Sequence, residues 1–278
     1  MAAFEKAVIV GVGLLGGSIG LALRQRGLAK QVVGFGRSKE KLETAVSRGA
    51  IDVAEQDLAN ACHSADLCVI CTPVQDIAAR TIACSSHIVS EGVITDVGST
   101  KHTICSEVAQ AGVAQFCGSH PLAGSDRSGV EHADEQLFEG RVAVVTPLQT
   151  SAEVLGRTLA FWESIGCRTR TMSPQEHDQA LAQTSHLPHI VASALAACTP
   201  EELLSLAASG WRDTTRIAGG SPKLWRPIIE ENSAAILSAL EQYNASLSSW
   251  IEALKSKNFA QVESLLTSGK EKRDNLGS

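Results

Sequence analysis

Residues 116–129 read FCGSHPLAGSDRSG, a histidine set against a proline, between two glycines and ahead of a Ser-Asp-Arg-Ser run. An unperturbed histidine titrates near pH 6.5 and can take and return a proton at neutral pH, so His120 is a candidate general base. Two more histidines, His186 and His189, lie in TSHLPH. Three steps of about 100° leave them some 60° apart on one helix face. Pro188 removes the N–H that would bond the Thr184 carbonyl, which predicts a kink beside the pair. On the same count His177, nine residues before His186, faces the opposite way. Arg212, in WRDTTRIAGGSPKLW, is a cation able to grip a carboxylate or to form a surface ion pair.

These side chains need a frame. Lys6–Val10 is a compact apolar strand that runs into Gly11, Gly13 and Gly16, the G-x-G-x-x-G spacing, with a helical pattern over Ser18–Arg26. Strand, glycine turn and helix together predict a dinucleotide site. Gly11 allows the turn, Gly13 lets a pyrophosphate reach the backbone, and Gly16 lets the helix pack on the strand. Leu14 and Leu15 fall at the N-terminal end that would face the phosphates. A second strand, Gln31–Phe35, ends in Gly36-Arg37-Ser38-Lys39, with no acid for a ribose 2′-hydroxyl. Arg37 and Ser38 suit a 2′-phosphate, so NADP is expected, with NAD as the alternative, and Ser38 also caps a helix over Lys39–Arg48. Further strands are expected at Leu67–Cys71, Val93–Asp96, Ala114–Cys117, Val142–Thr146 and Arg168–Met172. Ligands collect at the carboxyl ends of such strands. Three ends carry chemistry: Thr72-Pro73, Asp96 to Ser99 and Lys101, and the Gly118–His120 exit.

From Ser173 the pattern turns helical. Ser173-Pro174-Gln175-Glu176 is a capping box with proline at the first helical position, opening a helix to about Cys198. Ile236, Leu240, Tyr243, Leu247, Trp250 and Leu254 recur at helical spacing, an apolar stripe of two facing helices that forms a core or a dimer seam. A last helix, about Asn258–Asp274, is expected to cover the bundle. The architecture predicted is α/β, a Rossmann-type dinucleotide-binding domain over residues 1–172 followed by an all-α dimerisation and substrate domain over 173–278.

The bulk numbers narrow the class. With 278 residues, 44% of them hydrophobic, the chain can bury a sizeable core. A net charge of -6 speaks against nucleic acid and anionic membranes. Its apolar runs are shorter than the ~20 residues a membrane span needs, and the N-terminus has no leader pattern, so a cytoplasmic protein is expected. Eight cysteines are scattered. Cys68 and Cys71, the one Cys-x-x-Cys pair, fall on opposite faces of a strand, so no metal site is expected and the thiols read as buried and reduced.

Taken together, GxGxxGGS, DVGSTK, GSHPLAGS, HLPH and WRDTTRIAGGSP, in that order, resemble the TyrA family, the prephenate and arogenate dehydrogenases. The resemblance spans essentially the whole chain. It implies oxidative decarboxylation of prephenate or arogenate with hydride transfer to NAD(P), in tyrosine biosynthesis, by a homodimer joined through its helical domain. It places His120 at the nicotinamide and the substrate hydroxyl, Ser99 as the group that orients it, His186 and His189 in the substrate pocket, and Arg212 on a substrate carboxylate. Ser125 and Asp126 fall where relatives keep polar groups, often Thr-Glu, near the substrate side chain. The missing acid after the second strand departs from NAD-type members. Two rivals keep the glycine loop: another two-domain dehydrogenase or imine reductase, which leans on a cleft lysine, and a non-catalytic NADP-binding sensor, which needs neither His120 nor Arg212.

Overall fold

A computed structural model describes residues 3–124 and 127–276. The first half is a doubly wound α/β unit. Strands β1 (Phe4–Val10), β2 (Ala29–Phe35), β3 (Val53–Glu55), β4 (Leu67–Ile70) and β5 (Val93–Asp96) form one sheet in the order β3-β2-β1-β4-β5, parallel throughout. Helices α1 (Leu14–Gln25), α2 (Lys39–Ser47), α3 (Leu58–Cys62), α4 (Ile77–Ser85) and α5 (His102–Gln110) cover its faces. Because both faces are covered, β4 is apolar on every residue, and all of Leu67–Ile70 is buried. Register aligns the exits. Val10 pairs with both Phe35 and Ile70, and Ile70 pairs with Asp96, so the loops after β1, β2, β4 and β5 leave at one edge.

The chain then departs from the expected order. Ala114–Cys117 makes only an isolated bridge, Ile94 to Phe116. The strand is instead β6 (Gly118–Pro121), the GSHP motif itself, antiparallel to β7 (Val142–Thr146), which lies parallel to β8 (Arg168–Thr171). Gly118 permits this pairing, since a Cβ there would lie 2.6 Å from Cys105 Sγ and 2.7 Å from Thr146 Oγ1. Helix α6 (Ala152–Ser164) buries Phe161 and Trp162 behind this small sheet. The short β3 has no apolar run to announce it, two of its three residues being exposed.

The helical half begins at α7 (Pro174–Leu181), capped by Ser173 and Glu176 in the expected box. Pro188 does not simply kink one long helix. A π-helical turn at Ala182–His186 precedes α8 (Leu187–Cys198). The wider turn shifts the phase of everything after it, which decides where the histidines point. Helices α9 (Ser209–Thr215), α10 (Pro222–Glu231), α11 (Ser233–Lys255) and α12 (Phe259–Asp274) follow. The Ile236–Leu254 stripe runs along α11 alone, not along two facing helices. It is buried at Ile236 and exposed at Leu247 and Leu254, with Leu237 and Ile251 beside it. No residue of α12 is buried, so it lies along the outside rather than covering a core. None of the described helices is long and apolar enough to cross a membrane.

Helical and sheet halves are joined by chemistry as well as packing. Ile228 of α10 belongs to the same apolar cluster as Val74, Ile77 and Ile104. The Asp178 carboxylate of α7 accepts the backbone N–H groups of Lys101 and His102, 2.8 and 2.9 Å away, at the start of α5. A carboxylate there meets unpaired amides and the positive end of the helix.

Candidate active site

The dinucleotide cleft is built mostly by backbone. Gly11 has φ +98°, and a Cβ on it would lie 2.8 Å from the Cys71 carbonyl oxygen; a Cβ on Gly16 would meet the Gly11 oxygen at 2.3 Å. The two glycines are therefore required by close approach of β1, β4 and α1. Gly13 caps α1 without a side-chain hydrogen bond, and nothing lies within 4 Å of where its Cβ would be. An uncapped helix N-terminus thus faces open space, the cradle a pyrophosphate requires. Leu14, Leu15 and Gly16 form that first turn. A cleft of about 290 Å³ is lined by Gly11, Gly13, Arg37, Ser38, Thr72 and Pro73. Six of the nine residues expected to bind the cofactor meet there. The Thr72 hydroxyl is buried without a partner among the described residues, as expected of a group that a ligand completes.

Two cations in the cleft are not apparent from the sequence pattern. Lys41 and Arg80 line it with Arg37 and Ser38, against one acid, Asp76. Arg80 stands 5.8 Å over the Phe35 ring, a cation–π placement that only the pairing of β2 and β4 through β1 creates. Ser38 also caps α2, its hydroxyl accepting from the Lys41 N–H.

His120 sits on β6, beyond the carboxyl end of β5. Its neighbour Ser119 donates its N–H to Asp96 Oδ1 at 2.9 Å and its hydroxyl to the Asp96 carbonyl at 2.6 Å. Asp96 in turn accepts from Gly98 N–H and pairs with the Lys101 ammonium, both side chains wholly buried. Such a pair is strongly destabilising to break from one side, because a lone buried charge remains. The Asp and Lys of DVGSTK are thus the clamp that fixes β5 to β6.

The ring nitrogen partner of His120 is another histidine. His120 Nδ1 lies 2.9 Å from His177 Nε2, and His177 Nδ1 lies 2.7 Å from Asp178 Oδ1. Ser99 is half-buried in the loop after β5, and no hydrogen bond joins it to His120 among the described residues. His177, placed by simple helical counting on the face away from His186, shares its surroundings: Asn232 Nδ2 bridges the Asp178 carbonyl, at 2.8 Å, and His186 Nδ1, at 3.1 Å. The π turn supplies the missing rotation. His189 stacks on Trp225 with ring centroids 3.6 Å apart, and Trp225 meets His186 edge-on at 6.0 Å.

The cluster holds its imidazoles neutral. Burial, then His177, Lys101 and His186, push His120 well below its ordinary value. Burial outweighs the pull of Asp178 on His177, lowers His186 to about 4, and lowers His189. Asp178 sits below the usual carboxylate range despite its burial, because His177 and the two backbone amides bond its charged form. The titration of these rings therefore falls below the ordinary histidine value near pH 6.5.

Arg212 stands apart. It is exposed on α9 with its Nε donating to the Ala207 carbonyl at 3.1 Å. The segment that follows, Arg216–Gly219, packs on α8, and a Cβ on Gly220 would lie 2.7 Å from both His189 Cε1 and Trp225 Nε1. Arg216 lies four residues before Gly220, and Arg212 eight. Ser125 and Asp126 lie outside the described residues. The cysteines hold one surprise: Cys62, Cys68 and Cys84, from α3, β4 and α4, bring their sulfur atoms within 4.8 Å of one another in the buried core, while Cys71 faces the cleft. A groove of about 650 Å³ between α7 and α11 contains none of the expected site residues, though Asp178 and Asn232 reach its wall.

Comparison with known proteins bears on this geometry. Residues 19–171 match the family described as "Prephenate dehydrogenase, nucleotide-binding domain", and residues 173–268 match "Prephenate dehydrogenase, dimerization domain". A prephenate dehydrogenase of Bacillus subtilis is 36% identical over 249 residues, covering 86% of this chain and 67% of that one. A cyclohexadienyl dehydrogenase of Zymomonas mobilis is 30% identical, covering 93% and 91%. Among solved structures, a prephenate dehydrogenase from A. aeolicus in complex with hydroxyphenyl propionate and NAD+ superposes with a TM-score of 0.92 at 31% identity, covering 98% of each chain. The arogenate dehydrogenase of Synechocystis superposes with a TM-score of 0.86 at 33% identity, covering 98% of this chain and all of that one.

Proposed function

We propose, from the premise that this chain belongs to the prephenate dehydrogenase family, that it is an oxidoreductase that oxidatively decarboxylates prephenate to 4-hydroxyphenylpyruvate, or arogenate to tyrosine. The observation that carries this reading is the place of His120, held neutral at the sheet edge onto which the dinucleotide cleft opens. The dinucleotide, when bound along the α1 N-terminus and the Arg37–Ser38 turn, supplies the hydride acceptor. His120 accepts the hydroxyl hydrogen bond and takes the proton as the carbinol carbon is oxidised. The ring carbon–carboxylate bond breaks, its electron pair completes the aromatic ring, and the proton returns to the oxygen as a phenol. Proton count is unchanged overall. Aromatisation drives the carbon dioxide loss, so His120 need only manage one proton.

Arg37, Lys41 and Arg80 around Ser38 support NADP as the preferred dinucleotide. A substrate carboxylate would be met from the segment after α8 by Arg212 or Arg216, and the Ser99, His186 and His189 side chains would line the substrate side. The exposed apolar residues on and beside the α11 stripe, Leu247 and Leu254 with Leu237 and Ile251, support a homodimer through the helical domain. Sedimentation at micromolar concentration should show a dimer, and a pure monomer would refute that part. For the reaction, the test is reduction of NADP and of NAD by the purified chain with prephenate and, separately, arogenate. Turnover of either substrate, faster with NADP, is expected; no reduction in any of the four mixtures would overturn the reading.

A further inference from the structure

We infer that His177 and Asp178 form a positioning dyad that fixes which ring nitrogen of His120 faces the substrate and shares the charge His120 takes up. The inference rests on the reading of His120 as the base. It follows from counting hydrogens along one chain of contacts. Asp178 accepts the N–H groups of Lys101 and His102, which keeps it a carboxylate, and a carboxylate only accepts. His177 Nδ1, 2.7 Å from Asp178 Oδ1, must therefore carry a hydrogen. His177 is wholly buried and neutral, so its Nε2 holds a lone pair. That lone pair lies 2.9 Å from His120 Nδ1. Two lone pairs would repel there, so the His120 hydrogen is on Nδ1 and its Nε2 is the free acceptor.

Other charged groups facing this chain support the assignment. The Lys101 ammonium, paired with Asp96, opposes any positive charge on His120 or His177. His186 accepts from Asn232 at Nδ1 and stays neutral. Glu231 accepts from the Thr100 hydroxyl, and burial raises it above the ordinary carboxylate value. When the substrate O–H bond breaks and the His120 Nε2–H bond forms, the new imidazolium directs its Nδ1–H at His177 and, through it, at Asp178. When the ring aromatises, the Nε2–H bond breaks and the proton returns to the oxygen. No further oxidant or proton donor is required. The logic is that of the aspartate in a Ser-His-Asp triad, which holds the tautomer and stabilises the imidazolium, extended here by one imidazole. A purely structural dyad would cap α5 and fill space, with no consequence for the tautomer of His120.

The test is ring-nitrogen NMR of the full chain labelled with ¹⁵N-histidine at pH 7.5, with His120→Asn to assign the His120 signals. Wild type should show His120 neutral with hydrogen on Nδ1. In His177→Phe the Nε2–H form should appear. His177→Gln, whose amide oxygen can still accept from Nδ1–H, should retain the Nδ1–H form. In kinetics His177→Phe should lower kcat by about 10²-fold, within the ~10⁴-fold bound set by loss of tautomer control in a triad. Its KM should change little, and the glutamine variant should recover part of the rate. Hydrogen on Nε2 in wild type, or an unchanged His120 tautomer in a folded His177→Phe protein, would overturn the dyad. Should neither substrate be turned over, the reading of His120 as a base falls, and the NMR experiment alone decides the dyad.

Discussion

The dinucleotide cleft and the histidine cluster open on the same edge of the sheet, yet they are assembled by different means. The cleft is made of backbone: a positive-φ glycine, a glycine with a carbonyl against it, an uncapped helix end and an orphaned threonine hydroxyl. Most of its parts lie within two or three residues of a strand end. The cluster is made of side chains from β6, α7, the π turn, α8 and α10, with Asn232 bridging two of them. Recognition of a common phosphate group can rest on main-chain geometry, which tolerates many sequences. Control of one proton needs particular rings at particular distances, and these come from over a hundred residues apart.

If that contrast is right, damage to the two regions should separate cleanly. The largest effect is expected at His120. His120→Asn keeps the volume and removes the titrating ring, so kcat should fall by roughly 10²–10⁴-fold, the usual worth of general acid–base catalysis. Dinucleotide affinity, measured by fluorescence titration, should be unchanged. Near-normal turnover in a folded variant would remove the proton from the account.

A second effect should appear in stability rather than rate. The folded-state values of His120, His177 and His186 lie below their unfolded value, His186 at about 4. The unfolded chain therefore binds protons that the folded chain refuses. Stability from these neutral rings is fully present above about pH 6.5 and drains as pH falls towards 4. For His186 alone the loss is on the order of 3 kcal/mol by the bottom of that window. Urea midpoints should drop between pH 7.5 and 4.5, and His186→Asn should flatten the fall. Equal midpoints for the wild-type protein at the two pH values would show that the cluster is charged or open.

The smallest effect is expected in the cleft. Arg37→Ala removes one charge-assisted contact to a 2′-phosphate, typically worth about 1.5–3 kcal/mol, so the preference for NADP over NAD should shrink by about 10-fold or more. Wild-type protein that binds NAD as tightly as NADP would contradict the assignment of the Arg37–Ser38 turn.

The same contrast explains what the sequence could disclose. The glycine spacing, the Ser38 cap and the Thr72-Pro73 exit are local, and the cleft uses them as read. His120 stands out because a histidine between serine and proline at a strand end has few structural reasons to be there, although the strand is GSHP itself rather than the residues before it. His177 and Asp178 were hidden by an assumption of 3.6 residues per turn. The π turn at Ala182–His186 breaks that count, and nothing in AQTSH announces it beyond the proline two residues later. Arg80 and the Cys62–Cys68–Cys84 set depend on which strands pair, which spacing alone does not encode. Arg212 is the opposite case: a suitable residue type in a suitable motif, which the fold places on an exposed helix with its Nε donating to the Ala207 carbonyl.

A His120 held well below its ordinary value by burial, and so neutral, is the base of the proposed reaction. The direct test is kcat/KM for the wild-type chain with its better substrate from pH 5 to 9. Because protonated His120 cannot accept, and burial holds it well below its ordinary value, activity should stay flat from pH 9 down through about 6.5, and any falling limb should be centred below that. A limb centred at or above about pH 6.5, the ordinary histidine value, would contradict it.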